Sequence, residues 1–285
     1  MKLCVSSDIV TRRKDGSPLP FRETLVFLKD AGFEEIDHGF ETPVLLREDW
    51  EEDFAGKMRD AEAEGVRFRY AHLPFDYPGP DSPYGWEEFR LASVRAVKLA
   101  VRAGVDCAAI HPRTAMTRDY DAGRERAAAL DFLAFYRDEA AKAGLTLALE
   151  NMRGPGRSAP KEIRRFGTET ADLISLADEL GIGVCWDTGH ANISGQDQEK
   201  SLLLIGKRLR MVHINDNFAE GDVHIAPFLG NTDWAGVARG LKGAGYRGSL
   251  NLEVGCGRRP EPLRADYARY MASSARLLAS MIEEA

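Results

Sequence analysis

Short apolar runs and longer amphipathic stretches alternate eight times along this chain. The runs cover 2–8, 34–39, 67–73, 106–111, 145–150, 182–187, 209–215 and 248–254, and read as β-strands. Apolar residues recur at helical spacing over 21–31, 48–64, 86–103, 122–143, 168–180, 196–207, 234–244 and 261–283. The sixth of these helices is short and poorly capped. Six helical stretches end in a glycine, as Ala31-Gly32, Glu64-Gly65, Ala103-Gly104, Ala143-Gly144, Leu180-Gly181 and Ala244-Gly245. A glycine just past a helix accepts the left-handed conformation that ends it, so these pairs predict tight turns into the next strand.

The connections on the other side are longer and richer in Pro, Gly and polar residues: 74–85, 112–121, 151–167, 188–195, 216–233 and 255–260. Short helix-to-strand turns with long strand-to-helix loops are expected where the C-terminal strand ends carry function. Eight repeats favour a closed (β/α)8 TIM barrel of the α/β class over a doubly wound open sheet. The length of 285 residues is ordinary for a barrel of about 250, so 1–285 is expected to form one domain.

A composition of 44% hydrophobic and 29% charged residues describes a soluble globular chain with a large core. The net charge of −7 argues against a broad duplex-DNA surface, because phosphate neutralisation by Lys and Arg supplies most nonspecific affinity. No nucleic-acid partner is expected. No segment reaches the apolar length of a membrane span and no apolar leader opens the chain, so a cytoplasmic location is the expectation. A homo-oligomer is compatible with all of this. Cys4, Cys107, Cys185 and Cys256 are far apart and lie in or beside strand-like runs, which predicts buried free thiols.

The strand ends carry the chemistry. Glu150, Asp187, His213 and Glu253 close the fifth to eighth runs, which are neighbours around a barrel. Adjacent strands lie about 4.8 Å apart, so four such side chains can converge on one ion. Three carboxylates and an imidazole make an oxygen-rich donor set suited to Mn²⁺, Mg²⁺ or Co²⁺ and usable by Zn²⁺. A strand-end carboxylate can instead cap the helix that follows. His72 and His111 close the third and fourth runs beside Glu150, and either hold a second metal bridged by Glu150 or bond a substrate oxygen. His190, three residues past Asp187, and Asp222 with His224 in the long seventh loop define another metal site or close over the substrate. His38 with Asp37 is a candidate for the pocket rim, and Phe75, Trp86, Trp186 and Trp234 for an apolar wall. The stretches 153–157 and 255–259, rich in Gly and Arg, offer backbone N–H groups and guanidinium forks to a phosphate.

Together these motifs resemble the xylose isomerase-like TIM-barrel superfamily, and within it the sugar phosphate isomerase/epimerase group. The resemblance covers nearly the whole chain. It rests on His72-Leu73-Pro74-Phe75, His111-Pro112, Leu149-Glu150-Asn151-Met152, Asp187-Thr188-Gly189-His190, Val212-His213-Ile214-Asn215-Asp216-Asn217, Asp222-x-His224 with Gly230-Asn231-Thr232-Asp233-Trp234, and Leu252-Glu253-Val254. It implies one divalent ion held by Glu150, Asp187, His213 and Glu253, with Glu150 and Glu253 also moving protons on a keto-sugar, sugar phosphate or related hydroxy-carbonyl compound. His190 would bond a developing oxyanion. Asn217, Phe218 and Ala219 stand where some epimerases of the group carry an Arg, which leaves the substrate open, and a lyase or dehydratase belongs to the same range of chemistry.

The superfamily also contains the endonuclease IV family of abasic-site nucleases, which use three zinc ions. Its nine ligands are matched in type by His72, His111, Glu150, Asp187, His190, His213, Asp222, His224 and Glu253. The acidic balance, the Gly230–Trp234 segment where the nuclease has a Gly-Glu-Gly turn, and the lack of a recognisable DNA-intercalating loop after the second and third strands favour the isomerase. A sugar-binding barrel without turnover is the third reading.

Overall fold

The computed structural model describes residues 1–285 except 11, 14, 257 and 258. Its strands are β1 (Leu3–Ser6), β2 (Glu35–Gly39), β3 (Arg67–His72), β4 (Cys107–Ile110), β5 (Leu147–Glu150), β6 (Gly183–Asp187), β7 (Leu209–His213) and β8 (Leu250–Leu252). All pair in parallel in the order β7-β6-β5-β4-β3-β2-β1-β8. The ring closes just past the end of β7. There Ile214 bridges Leu252, with Ile214 N donating to Asn251 O at 2.7 Å and Glu253 N to Ile214 O at 3.2 Å. This is the expected (β/α)8 TIM barrel.

The helices are α1 (Phe21–Ala31), α2 (Thr42–Leu45), α3 (Trp50–Glu64), α4 (Trp86–Arg102), α5 (Ala122–Ala143), α6 (Thr170–Leu180), α7 (Thr188–Ile193), α8 (Gln198–Ile205), α9 (Trp234–Gly243) and α10 (Glu261–Glu284). Two short ones were not expected: α7 lies in the stretch 188–195, read as a loop, and α2 in the unassigned stretch between the second strand and the helix over 48–64. The helix read as poorly capped is α8, and it is capped: the Asp197 carboxylate accepts from Lys200 N at 3.1 Å. All six turn glycines have positive φ, from 65° at Gly65 to 102° at Gly32. Among the described residues no helix is long and apolar enough to cross a membrane.

Strand side chains alternate between two environments. Outward ones such as Val5, Ile36, Ile110, Leu149, Val184, Trp186 and Val212 join the apolar layer under the helices. Inward ones fill the lumen with Cys4, Tyr70, Cys107, Ala109, Ala148, Cys185 and Met211. The four cysteines are free and buried, and burial pushes each thiol up, so none is a ready nucleophile.

Candidate active site

The site is the next inward-facing layer. Two residues beyond the lumen filling, each strand from β3 to β7 presents an ionisable group: Tyr70 is followed by His72, Ala109 by His111, Ala148 by Glu150, Cys185 by Asp187 and Met211 by His213. Glu253 comes just past β8. The ligand atoms of Glu150, Asp187, His213 and Glu253 all lie within 4.8 Å of one another. His213 Nδ1 stands 3.0 Å from Glu150 Oε2 and 3.4 Å from Glu253 Oε2.

Glu150 also belongs to a second group. His72 Nε2 and His111 Nε2 are 3.1 Å apart and lie 3.4 and 3.3 Å from Glu150 Oε2. His190, Asp222 and His224 form a third, with His190 Nε2 3.4 Å from Asp222 Oδ2 and His224 Nε2 3.0 Å from Asp222 Oδ1. The antiparallel bridge between Asp216 and Ile225 folds the seventh loop back so that Asp222 and His224 reach this point. All nine residues singled out in the sequence therefore meet at the barrel mouth.

Backbone bonds orient three of the histidines alike. Nδ1 of His72 lies 2.9 Å from Leu73 O, that of His190 2.9 Å from Asn151 O, and that of His224 2.8 Å from Glu253 O. With Nδ1 donating, each ring turns Nε2 toward its cluster, the usual way a protein fixes a ligand imidazole. His224 is held in the left-handed region at φ 44°, a conformation uncommon outside glycine. His213 is arranged the other way round: its Nε2 faces Asp37 Oδ2 at 3.4 Å, and Asn251 Nδ2 fixes that oxygen at 2.6 Å.

Asp187 serves twice. Its Oδ1 caps α7 by accepting from His190 N at 2.6 Å, and its Oδ2 accepts from Asn215 Nδ2 at 2.7 Å. The Gly of the Asp-Thr-Gly-His motif is required by this packing, because a Cβ at Gly189 would collide with the Asn215 side-chain oxygen. Asn151 exchanges bonds with the Asp187 backbone, donating to its O at 3.0 Å and accepting from its N at 2.7 Å.

The sequence pattern of the family described as Xylose isomerase-like TIM barrel matches residues 25–277. The chain belongs to this family. Two relatives, the uncharacterized proteins y4fM of Sinorhizobium fredii and MJ1311 of Methanocaldococcus jannaschii, are 36% identical over 84 residues and 30% identical over 115. These matches take in 30% and 39% of this chain, and 27% and 37% of the relatives. A solved xylose isomerase domain protein from Alicyclobacillus acidocaldarius superposes with TM-score 0.74 at 20% identity, over 99% of both chains. An L-ribulose 3-epimerase gives 0.73 at 18% identity, over 100% of this chain and 96% of that one. A D-psicose 3-epimerase gives 0.72 at 14%, over 98% and 99%. At these identities the likeness to the solved structures is one of fold.

The charges of this xylose isomerase-like barrel are arranged unequally. Burial opposes ionisation of Glu150, but His213 and His111 beside it outweigh that and hold its carboxyl well below the usual range. Glu253 is pushed up by burial, with Glu150 and Asp187 adding to the rise. His111 is driven down to about 4 by burial and is neutral, whereas the Asp222 carboxylate overcomes burial and lifts His224 to about 10. Two open cavities of about 700 and 720 Å³ lie at the opposite end of the barrel, lined by residues such as Thr146, Lys207 and Arg210. They contain none of the nine residues, and helices α5, α6 and α9 end there.

Several expectations for the surroundings need correction. His38 does not reach the rim: it points outward, buried among Phe21, Phe40, Phe54 and Phe68 with Nδ1 2.9 Å from Ser7 Oγ, and Asp37 alone faces the lumen. Trp186 is fully buried on the outward face of β6 and donates to Gln198 Oε1 at 3.1 Å, so it is core and not wall. Trp234 is buried and donates to Asp216 Oδ2 at 3.1 Å, anchoring the Gly230–Trp234 segment. Trp86 lies one shell out, stacked on Tyr77, whose hydroxyl donates to His111 O at 3.3 Å. Phe75 does line the mouth, with ring centroids 4.6 Å from His72 and 4.8 Å from His111.

The stretch 153–157 is not an open phosphate cradle. Gly154 N donates to Ser194 Oγ at 2.8 Å, and Arg153 Nε stands 3.4 Å from Asp222 Oδ2. In 255–259, Gly257 and Arg258 lie outside the described residues, and the Arg259 guanidinium covers the Tyr267 ring. Asp37, Asn151 and Asn215 are orienting groups, a role not assigned to them from the sequence. Asn151 follows Glu150 directly and Asn215 stands two residues past His213, which is the signal that points to them, whereas Asp37, read as a rim residue, is found to orient His213 from across the lumen.

Proposed function

We propose that the chain is a divalent-metal-dependent isomerase or epimerase acting on a small keto-sugar or related hydroxy-carbonyl compound. The carrying observation is the convergence of Glu150, Asp187, His213 and Glu253 at the mouth of a barrel whose solved neighbours include sugar 3-epimerases. The donor set fits an ion. Glu150 Oε2 and His213 Nδ1 are buried 3.0 Å apart, yet among the described residues neither has a hydrogen-bond partner, as expected of two atoms aimed at a common third point. Mn²⁺, Zn²⁺, Mg²⁺ and Co²⁺ all accept this set.

A divalent ion there supplies Lewis-acid polarisation of a carbonyl oxygen and its neighbouring hydroxyl. The chain supplies the proton transfers. Glu150, whose carboxylate the neighbouring imidazoles favour, takes the proton alpha to the carbonyl, and Glu253, whose raised carboxyl can carry a proton, returns that proton to the opposite face or the adjacent carbon. His190, locked by Asn151 O with Nε2 facing the mouth, bonds the developing oxyanion. Phe75 shields the centre from water on the His72 side.

One observation favours a second reading. The nine residues fall into groups of three, four and three, the first two sharing Glu150, a set suited to several ions and hence to endonuclease IV-like phosphodiester cleavage at abasic DNA sites. Against it stands the net charge of −7. The deciding experiment counts metal per chain and assays the loaded protein on ketoses, ketose phosphates and an abasic duplex. Interconversion of ketoses without nicking supports the isomerase. Nicking at a catalytic rate with three ions bound and every ketose untouched establishes the nuclease instead.

A further inference from the structure

The loop between β5 and α6 carries a second feature of the mouth, Arg165, that is not close in sequence to any strand end. Its segment is stitched to two of them. Gly167 O accepts from Met152 N at 2.9 Å, two residues past Glu150, and Phe166 O accepts from Thr114 Oγ1 at 2.9 Å, three past His111. Thr117 and Arg164 pair through both backbone groups at 2.9 Å. Arg165 is thereby held at the rim between the ends of β4 and β5, half-buried. Its Nε donates to Thr114 Oγ1 at 3.2 Å, and among the described residues neither Nη has a hydrogen bond or ion pair.

That free edge has defined surroundings. Burial, then the neighbouring Arg153, lower the Arg165 pKa, while Tyr77, Glu150 and Asp222 act in the opposite sense. Arg153 is paired with Asp222, whereas among the described residues no carboxylate pairs with Arg165. A half-buried guanidinium beside a second cation, with its two-pronged edge unused, is unfavourable until an anion arrives. The planar fork matches a carboxylate or a phosphate bidentately. In a chain of net charge −7, a local cation at the mouth favours docking of an anionic substrate.

We propose that Arg165 binds an anionic group, carboxylate or phosphate, carried by the hydroxy-carbonyl substrate, and so makes the site select a charged substrate over a neutral ketose. The inference rests on the isomerase reading for the rest of the substrate, whereas the anion site itself does not.

The test uses metal-replete wild type, Arg165→Met and Arg165→Lys, each checked for folding by thermal melting. One ketose skeleton is supplied neutral, with a terminal phosphate, and with a terminal carboxylate. Inorganic phosphate and acetate serve as unreactive probes in calorimetry at fixed ionic strength. The wild type is expected to prefer one charged form, and which one identifies the anion. Arg165→Met should lower the charged-to-neutral ratio of kcat/KM by about a hundredfold, mainly through KM, the size of two charge-assisted hydrogen bonds. Arg165→Lys should keep part of the preference. A wild type that prefers the neutral ketose overturns the proposal, as does an Arg165→Met variant that loses charged and neutral substrates by the same factor. If no ketose turns over but a probe binds with Arg165-dependent affinity, the isomerase reading falls and the anion site stands. Absence of both turnover and Arg165-dependent binding overturns it.

Discussion

Two consecutive layers of one barrel lumen differ in almost everything except burial. The lower layer, Cys4, Tyr70, Cys107, Ala109, Ala148, Cys185 and Met211, is a packed apolar cluster. The layer above starts two residues further along the same strands, about 7 Å away. At its centre it is no more exposed, with Glu150 at 1%, Asp187 at 0% and His213 at 0%, and only its edge at Glu253 opens to solvent. Yet on β3 to β7 it is ionisable throughout, and among the described residues Glu150 Oε2 and both His213 ring nitrogens lack hydrogen-bond partners. Burying unpaired polar atoms costs free energy, so the upper layer is not arranged for the stability of the free protein. Stability and chemistry are divided along the barrel axis, and only the identity of alternate residues marks the boundary.

The largest effect should come from the centre of the upper layer. Glu150→Gln removes the carboxylate shared by two ligand groups and one of the two proposed proton carriers, and is expected to lower turnover about a thousandfold. Met211→Ala, one layer below His213, is its counterpart. It opens a cavity in the lumen filling and should cost about 2–5 kcal/mol of unfolding free energy, while turnover per folded molecule stays within about twofold. Parallel denaturant titrations and steady-state rates check both. If Met211→Ala inactivates as strongly as Glu150→Gln does, the division between layers is wrong.

Within the upper layer the two glutamates are not equivalent. Glu253 is 30% exposed and its carboxyl is raised, whereas Glu150 is 1% exposed and held low by imidazoles. Glu253→Gln should reduce turnover about a hundredfold without changing the fold, the usual size of a lost acid–base group. Near-normal turnover at saturating metal would remove Glu253 from the mechanism and leave Glu150 as the sole proton carrier.

How much of this was legible in the sequence follows from the same alternation. The barrel and the strand-end residues His72, His111, Glu150, Asp187, His213 and Glu253 were readable because the ends of parallel strands converge whatever the loops do, whereas His190, Asp222 and His224 were legible only through the motifs that carry them, since α7 and the folded-back seventh loop bring them in. The errors at His38 and Trp186 came from setting two adjacent strand residues on one face. Period-two alternation allows only one of Asp37 and His38, or of Trp186 and Asp187, to enter the lumen. That mistake was avoidable. The position of Arg165 was not readable, since it lies 15 residues past Glu150 and reaches the mouth only through bonds from Met152 and Thr114 to its segment. Helix α7 escaped notice because its first turn is held by Asp187, a residue whose other oxygen is occupied with Asn215.

His38 gives the smallest effect and separates the two faces of β2 most cleanly. Its neighbour Asp37 faces the proposed metal ligand His213, while His38 itself sits among phenylalanines, where burial drives its pKa down to about 3. Below about pH 6.5 the unfolded imidazole takes up a proton that the folded one refuses. The stability tied to His38 is therefore complete above that pH and is lost as pH falls toward 3. Between pH 7 and pH 5 the loss should be about 2 kcal/mol. His38→Asn keeps a polar partner for Ser7 Oγ and removes the titration. The variant will be less stable at pH 7 because ring packing is lost, but its deficit relative to wild type should shrink by about 2 kcal/mol at pH 5. Unfolding titrations at the two pH values measure this, and turnover per folded molecule should remain near that of the wild type. A deficit that stays constant with pH would mean that the ring is protonated in the folded protein. A large fall in turnover would put His38, and not only Asp37, in contact with the chemistry of the mouth.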